Sequence, residues 1–382
     1  MSRPSTIRDK LFAELTYQVV NSFKPGERLP SERTLAAAHG VSQRTVHRAL
    51  VSLSRQGLIV VESSRGWKRT GETATFAGST GPLRVGLITR RTLEEIERLN
   101  IELYPALAAE AKRQGIELDW FENTARLRLA LARGRIDFDR VPWNRLDAAL
   151  LLEVEDAQSL SNPLLKRHPV LVVDRNFTRI GLASVSFDDY AVGEAAARHL
   201  YDLGHRRLAV MEEVTEPGCL AELTWMERRH GFERTIGSLG GCIRPGWRLS
   251  YLRRAQQSKK LAALEQWAED LVRLQPKDRP TALFAVSWPP EMNELSRHLD
   301  RLKVRIPRDL SLVTVHWSVS PPRPSADLPT RIQLDLAAMA RRTFEAVRDL
   351  VARGPARLTP TASLYVAPMR LLPGNSTAAP RN

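Results

Sequence analysis

The sequence predicts an α/β protein in two unequal parts. A small helical head closes with a β-hairpin, and a large body holds parallel sheets covered by helices on both faces. Three observations predict this. From Leu83 to about Leu372, short apolar runs of strand type alternate with helical stretches, and uninterrupted apolar strands belong to sheets buried on both faces. The first seventy residues instead carry helical periodicity, broken at close intervals by turn residues. Charge divides the chain at the same place: residues 1–70 hold 12 basic and 5 acidic side chains, half of the net +14 in less than a fifth of 382 residues.

Composition excludes several classes. With 43% hydrophobic and 26% charged residues, the chain is not disordered overall. Cys219 and Cys242 can build neither a disulfide framework nor a four-ligand zinc site, which suits a reducing cytoplasm. Met1-Ser2-Arg3-Pro4 begins without the apolar core of a secretory signal. No run of about 18 apolar residues exists to span a bilayer. The chain has no Walker loop, G-x-S-x-G, H-E-x-x-H or metal-ligand spacing, so the sequence supports no catalysis and no cofactor. The positive excess points instead to a polyanionic partner met by the head.

In the head, Ile7, Leu11, Leu15 and Val19 mark one face of a first helix, which stops before the turn pair Pro25-Gly26. Ser31 caps a short second helix through Leu35 and Ala38, and Gly40 supplies its left-handed C-cap. Ser42 caps a third helix whose core positions are Val46, Ala49, Leu50 and Leu53, with Gly57 as its end. Leu58–Val61 then reads as a strand that turns over Ser63-Ser64-Arg65-Gly66 into a return strand at Trp67-Lys68. Three helices plus a small hairpin form the winged helix-turn-helix plan. The third helix turns Arg44, His47, Arg48 and Val51 away from its apolar stripe, and its first turn shows Ser42, Gln43, Arg44 and Thr45. Such side chains reach phosphates and base edges in a major groove.

Lys24–Arg33, Leu35-Ala36, Val41–Val46, Ala49-Leu50, Leu53 and Gly57–Ile59 together resemble the DNA-binding domain of the GntR family of bacterial transcription regulators. The resemblance implies operator contacts from Arg33 beside Ser31, from Ser42 to Thr45, from His47 and Arg48, and from the wing at Arg65 and Gly66. Two positions depart from the family, which often has Arg where this chain has Gln43 and His47. Glutamine favours adenine over guanine as a bidentate partner, so the operator differs from the common half-site.

Residues 71–82, rich in Gly, Thr and Ala, read as a linker, and 373–382 as a loose tail. Between them lie strand-like runs at Leu83–Ile88, Ile116–Phe121, Ala148–Leu152, Val170–Val173, Leu208–Met211, Ala282–Val286 and Leu310–Val315. Helices are expected around Tyr104–Gln114 and Tyr190–Leu203. Some 290 residues of this pattern exceed one modest sheet and imply two lobes, with ligands held at strand carboxyl ends between them.

Pro169–Arg175, Val185–Asp189 with Gly193 and Ala196, Leu203–Ala209, Glu227-Arg228 with Gly231-Phe232, and Ile306–Ser311 resemble the LacI/GalR effector domain, a type I periplasmic-binding-protein-like fold. The resemblance implies a cytoplasmic sensor for a small-molecule effector, a sugar among the candidates, with lobes that form a homodimer. It places effector contacts at Asp174, Arg175, Thr224 and Arg228. Asp174-Arg175 reads equally as a local ion pair; Asp188 reads as a helix cap and His205 as a structural hydrogen-bonding residue. Where relatives carry acids after two strands, this chain has Ser287-Trp288-Pro289-Pro290 and a turn at His316-Trp317. Trp288 and Trp317 either offer stacking area to a flatter ligand or fill the core.

The combined expectation is a dimeric transcription regulator, a repressor, reading palindromic double-stranded DNA under effector control. Two alternatives stand beside it: a constitutive DNA-binding protein with a degenerate sensor, and a solute receptor, which the head and the missing signal oppose.

Overall fold

The computed structural model describes residues 26–55, 59–61, 66–69, 82–89, 91–98, 101–122, 136, 138, 141–153, 157–214, 222–252, 256–286, 291–320, 327–353 and 363–381, with Leu15, Val19 and Phe23. The expected linker up to Gly81, most of the first helix, Arg65 and Trp288 lie outside them.

In the head, α1 (Glu32–His39) and α2 (Gln43–Arg55) are followed by the antiparallel strands β1 (Ile59–Val61) and β2 (Trp67–Arg69). Helix α1 starts where the Thr34 amide donates to Ser31 Oγ at 3.1 Å. It stops at Gly40, whose φ of 61° is left-handed. Ser42 Oγ accepts from the Thr45 amide at 3.2 Å and so starts α2. The core joins Leu15, Val19, Leu35, Val46, Leu50, Leu53, Ile59 and Trp67, so the wing is packed onto the helices.

The body begins with β3 (Arg84–Thr89), α3 (Leu93–Arg98), α4 (Leu103–Arg113), β4 (Glu117–Glu122), β5 (Ala148–Leu152), α5 (Ala157–Leu160), β6 (Val170–Val173) and β7 (Ala183–Phe187). There follow α6 (Asp189–Asp202), β8 (Leu208–Val214), α7 (Glu222–Ser238), β9 (Arg248–Leu252), α8 (Gln257–Arg273), β10 (Ala282–Ala285) and α9 (Glu291–Arg301). The last elements are β11 (Ser311–Ser318), β12 (Arg331–Asp335), α10 (Leu336–Arg353), β13 (Leu364–Ala367) and β14 (Met369–Leu372).

These strands build two six-stranded sheets, in the orders β13-β7-β6-β5-β3-β4 and β14-β12-β11-β10-β8-β9. The first is parallel throughout; the second is parallel except for β14, antiparallel to β12. Helix α10 covers the first sheet, whereas α6 packs against β12, β14 and α7 of the second. The chain therefore crosses between lobes three times: from β7 into α6, from β12 into α10, and at Pro368 between β13 and β14. Away from these crossings, Val319 N donates to Glu102 Oε2 at 3.0 Å, and Leu223 of α7 packs on the apolar cluster under the first sheet.

Two expectations fail. The tail is not loose over Gly374–Pro380. Ser376 is buried, donates to the Leu312 carbonyl at 2.6 Å and accepts from Thr330 N at 2.8 Å. His205 Nε2 donates to the Ala378 carbonyl at 2.9 Å, and Ala378 N to Ser311 Oγ at 3.0 Å. The polar composition that suggests mobility instead satisfies backbone groups of the second lobe. Nor do His316 and Trp317 form a turn: both lie inside β11, because β12 continues to pair with it at His316↔Gln333 and Trp317↔Leu334.

Candidate nucleic-acid interface and effector cleft

Helix α2 buries Val46, Ala49, Leu50 and Leu53 and leaves Ser42, Gln43, Arg44, His47 and Arg48 exposed, with Thr45 half-buried. That division follows from 3.6-residue periodicity around the cap at Ser42. Arg33 and Ser31 are exposed at the start of α1. Gly66 is exposed at the wing with φ 88°, a conformation that favours glycine. The chain thus presents one surface formed by a helix first turn, a neighbouring cap and a wing.

Two residues missed by sequence reasoning organise that surface. Glu32 Oε1 accepts from Trp67 Nε1 of β2 at 2.9 Å and pairs with His47 Nδ1 of α2 at 2.8 Å. The His47 and Trp67 rings meet edge-on, 6.4 Å apart at 61°. Burial alone would raise the Glu32 carboxyl, but hydrogen bonds from His47 and Trp67 hold it below the ordinary carboxylate value. The contacts span 15 and 35 residues, so no local spacing announces them.

In the body, charged side chains gather where strands of the first lobe end and α7 begins. Asp174 follows β6 with φ 66°, and Glu153 follows β5 with φ 55°. Arg175 Nη1 donates to Asp174 Oδ2 at 2.5 Å, as the local ion-pair reading has it, while Arg175 Nε is buried without an acceptor. Arg91 pairs with Glu153. Arg228 is wholly buried, donating Nε to Asp189 Oδ1 at 2.8 Å and Nη1 to the Val286 carbonyl at 3.0 Å. Its guanidinium carbon stands 5.2 Å from the Trp317 ring centroid. Burial pushes the Asp189 carboxyl up to about 6 in spite of Arg228, and Asp174 adds to the rise.

The structure thus brings Asp174, Arg175 and Arg228 into one charged neighbourhood, in which Arg175 feels Asp174, Asp189 and Glu153. Thr224 is buried one turn before Arg228 on α7. Trp317 packs partly against the core and partly against Arg228. His316 is exposed and, by strand alternation, points to the opposite face. Asp188 caps α6, accepting from Ala191 N at 2.9 Å. Sequence reasoning missed Asp189, Glu153 and Arg91 as members of this cluster.

Residues 7–68 match the profile of bacterial regulatory proteins of the gntR family, and residues 197–377 that of the periplasmic binding protein-like domain. The chain joins a GntR-type DNA-binding head to a periplasmic-binding-protein-like body. A curated relative, the arabinose metabolism transcriptional repressor of Geobacillus stearothermophilus, is 23% identical over 317 residues, 78% of either chain. Among solved structures, a LacI family transcriptional regulator from Mycobacterium smegmatis superposes with a TM-score of 0.54 at 21% identity, covering 78% of this chain and 100% of that one. Another from Bifidobacterium animalis subsp. lactis gives 0.54 at 19% identity, with 78% and 98% coverage. The body's two lobes and three crossings agree with this fold. Among the described residues, no helix is long and apolar enough to cross a membrane. No group of three or more His, Cys, Asp or Glu among them could hold a metal ion.

Proposed function

We propose that this DNA-binding regulator is a cytoplasmic, homodimeric repressor of transcription whose GntR-type head reads a palindromic operator, under control of a small-molecule effector held between the lobes. The observation that carries the reading is the exposed, capped first turn of α2 bearing Gln43 and Arg44 beside Arg33 and the Gly66 wing. Gln43, Arg44 and His47 meet base edges, while Ser31, Arg33, Ser42, Thr45, Arg48, Arg65 and Gly66 position the head on phosphates and groove walls. The body holds the effector through Asp174 and Arg175, with Thr224, Arg228 and Trp317 shaping the wall and Trp288 a further contact on sequence grounds; His316, on the opposite face of β11 from Trp317, stands outside that wall. The orphan Nε of Arg175 supports an oxygen-bearing ligand, and the name of the curated relative suggests an aldopentose as the first to try. Effector binding favours one lobe arrangement over another and thereby changes operator affinity.

The deciding experiment is selection of genomic duplexes by the purified protein, followed by titration of the selected operator with and without a sugar panel. A palindromic consensus, released by one of the sugars, supports the reading; binding that only weakens with salt and shows no preferred sequence overturns it. A second reading, constitutive DNA binding, draws on the mutual pairing of Arg228 with Asp189 and Arg91 with Glu153, which leaves fewer groups for a ligand.

A further inference from the structure

We infer that Glu32 is a positioning residue for sequence readout: its carboxylate fixes the tautomer of His47 on α2 and ties that side chain to the wing through Trp67. The inference rests on the head's reading DNA as proposed above.

The argument starts from what each atom can do. A tryptophan Nε1 only donates, and an ionised carboxylate only accepts. Glu32 is held on the ionised side by its two partners, so the His47 nitrogen 2.8 Å from Oε1 carries a proton. In the neutral ring that proton sits on Nδ1, and Nε2 is left with a lone pair. The pair is not offered as a source of stability, since His47 is 55% exposed and surface ion pairs contribute little. Its consequence is geometric. Three contacts hold the imidazole: the carboxylate, the edge of Trp67, and the helix that bears it.

An outward Nε2 lone pair accepts hydrogen bonds, and in a major groove the exposed donors are the amino groups of cytosine and adenine. Guanine offers only acceptors there, so this tautomer discriminates against it. The same carboxylate accepts from Trp67, so the angle between recognition helix and wing is set by the group that sets the tautomer. Glu32 therefore touches no DNA itself yet selects which base edge His47 can meet.

The test uses the full chain at pH 8, where an ordinary histidine is neutral. Long-range proton–nitrogen spectra of histidine-labelled protein, with the His47 signals assigned by their loss in His47→Ala, are expected to show the Nδ1–H form in the wild type and a shift toward Nε2–H in Glu32→Ala. Operator selection is then run on the same proteins. His47→Ala and Glu32→Ala should flatten preference at the same base pair by about tenfold, and Glu32→Gln, whose amide oxygen still accepts, should restore part of it. An Nε2–H ring in the free wild type overturns the inference, as does a Glu32→Ala profile weakened equally on all duplexes. The spectra need no DNA, so they decide the role of Glu32 even if the wild type selects no operator, a result that would sink the DNA-binding reading instead.

Discussion

Gly193 of α6 lies so close to Arg228 of α7 that a β-carbon on it would sit 1.9 Å from the Arg228 carbonyl oxygen. The reciprocal contact is as tight, for a β-carbon on Gly231 would stand 2.1 Å from the Tyr190 carbonyl. Two glycines thus allow the helices to touch through their backbones, and the touch delivers Arg228 to Asp189. Gly193→Ala must force α6 and α7 apart. Overpacking of this kind costs about 1–3 kcal/mol. Urea unfolding is expected to show that loss, with head-only DNA contacts unchanged in sequence preference; an unaltered midpoint would refute the close packing.

The Asp189–Arg228 pair should behave as a buried unit. Arg228→Met leaves the Asp189 carboxylate without its cation and should cost about 3–5 kcal/mol, while Asp189→Asn with Arg228→Met should recover much of it. Chemical denaturation of the two single variants and the double variant measures the coupling. Simple additivity would show that the two side chains do not depend on each other.

Much of this fold is visible in the sequence where one local rule decides the outcome. Ala148–Leu152 and Val170–Val173 are fully buried strands, so their apolar runs coincide with β5 and β6. Ser31, Ser42, Gly40 and Asp188 act as caps through bonds to residues three or four positions away. The elements that escape notice are the edge strands β9, β13 and β14, whose exposed or mixed faces carry no continuous apolar signal. β7 and β12 escape too, since Ser184 and Ser186 in one and Arg331 and Gln333 in the other interrupt the apolar pattern although all four are buried. At the site, Glu32 looks like an acid favouring a helix start, and only tertiary packing reveals that it meets His47 and Trp67.

Ser376 anchors the carboxy-terminal arm with one donated and one accepted hydrogen bond inside the second lobe. Ser376→Ala leaves the Leu312 carbonyl and the Thr330 amide short of a partner in a buried place. A loss of about 1–3 kcal/mol is expected in thermal or urea unfolding. Faster hydrogen exchange should appear at Leu312 and Thr330 before it appears in β5 and β6. Uniform exchange across both lobes would contradict a local anchor.

Stability should fall on acidification through buried histidines. Burial, aided by Arg167, lowers His168 from 6.5 to about 4, while the ring stacks on Trp143 with centroids 4.6 Å apart. Burial lowers His205 as well. A depressed value in the folded state means that the unfolded chain takes up protons first. The contribution is therefore complete above pH 6.5 and is lost as pH drops toward 4. For His168 this amounts to at most about 3 kcal/mol, an upper bound because the ring keeps some contact with water. His168→Phe preserves the stacking and removes the titration, so its melting temperature should vary less between pH 7 and pH 5 than that of the wild type. Equal slopes would exclude His168 as a source of acid sensitivity.

Gln43 is the first residue of α2 and is exposed beside Arg44, at the end of the helix that meets base edges in this class of head. Its amide can pair bidentately with adenine, whereas an arginine there would pair with the two acceptors of guanine. Gln43→Arg should consequently transfer preference at one base pair of each half-site from A·T to G·C, by about 1–3 kcal/mol. In the proposed two-fold dimer, the change appears symmetrically in both half-sites. Arg44→Ala should also reduce affinity, and Arg48→Ala should lower the salt slope by about one ion with the consensus unchanged. Selection on randomised duplexes at two salt concentrations separates these outcomes. A Gln43→Arg consensus identical to that of the wild type would remove Gln43 from the reading surface.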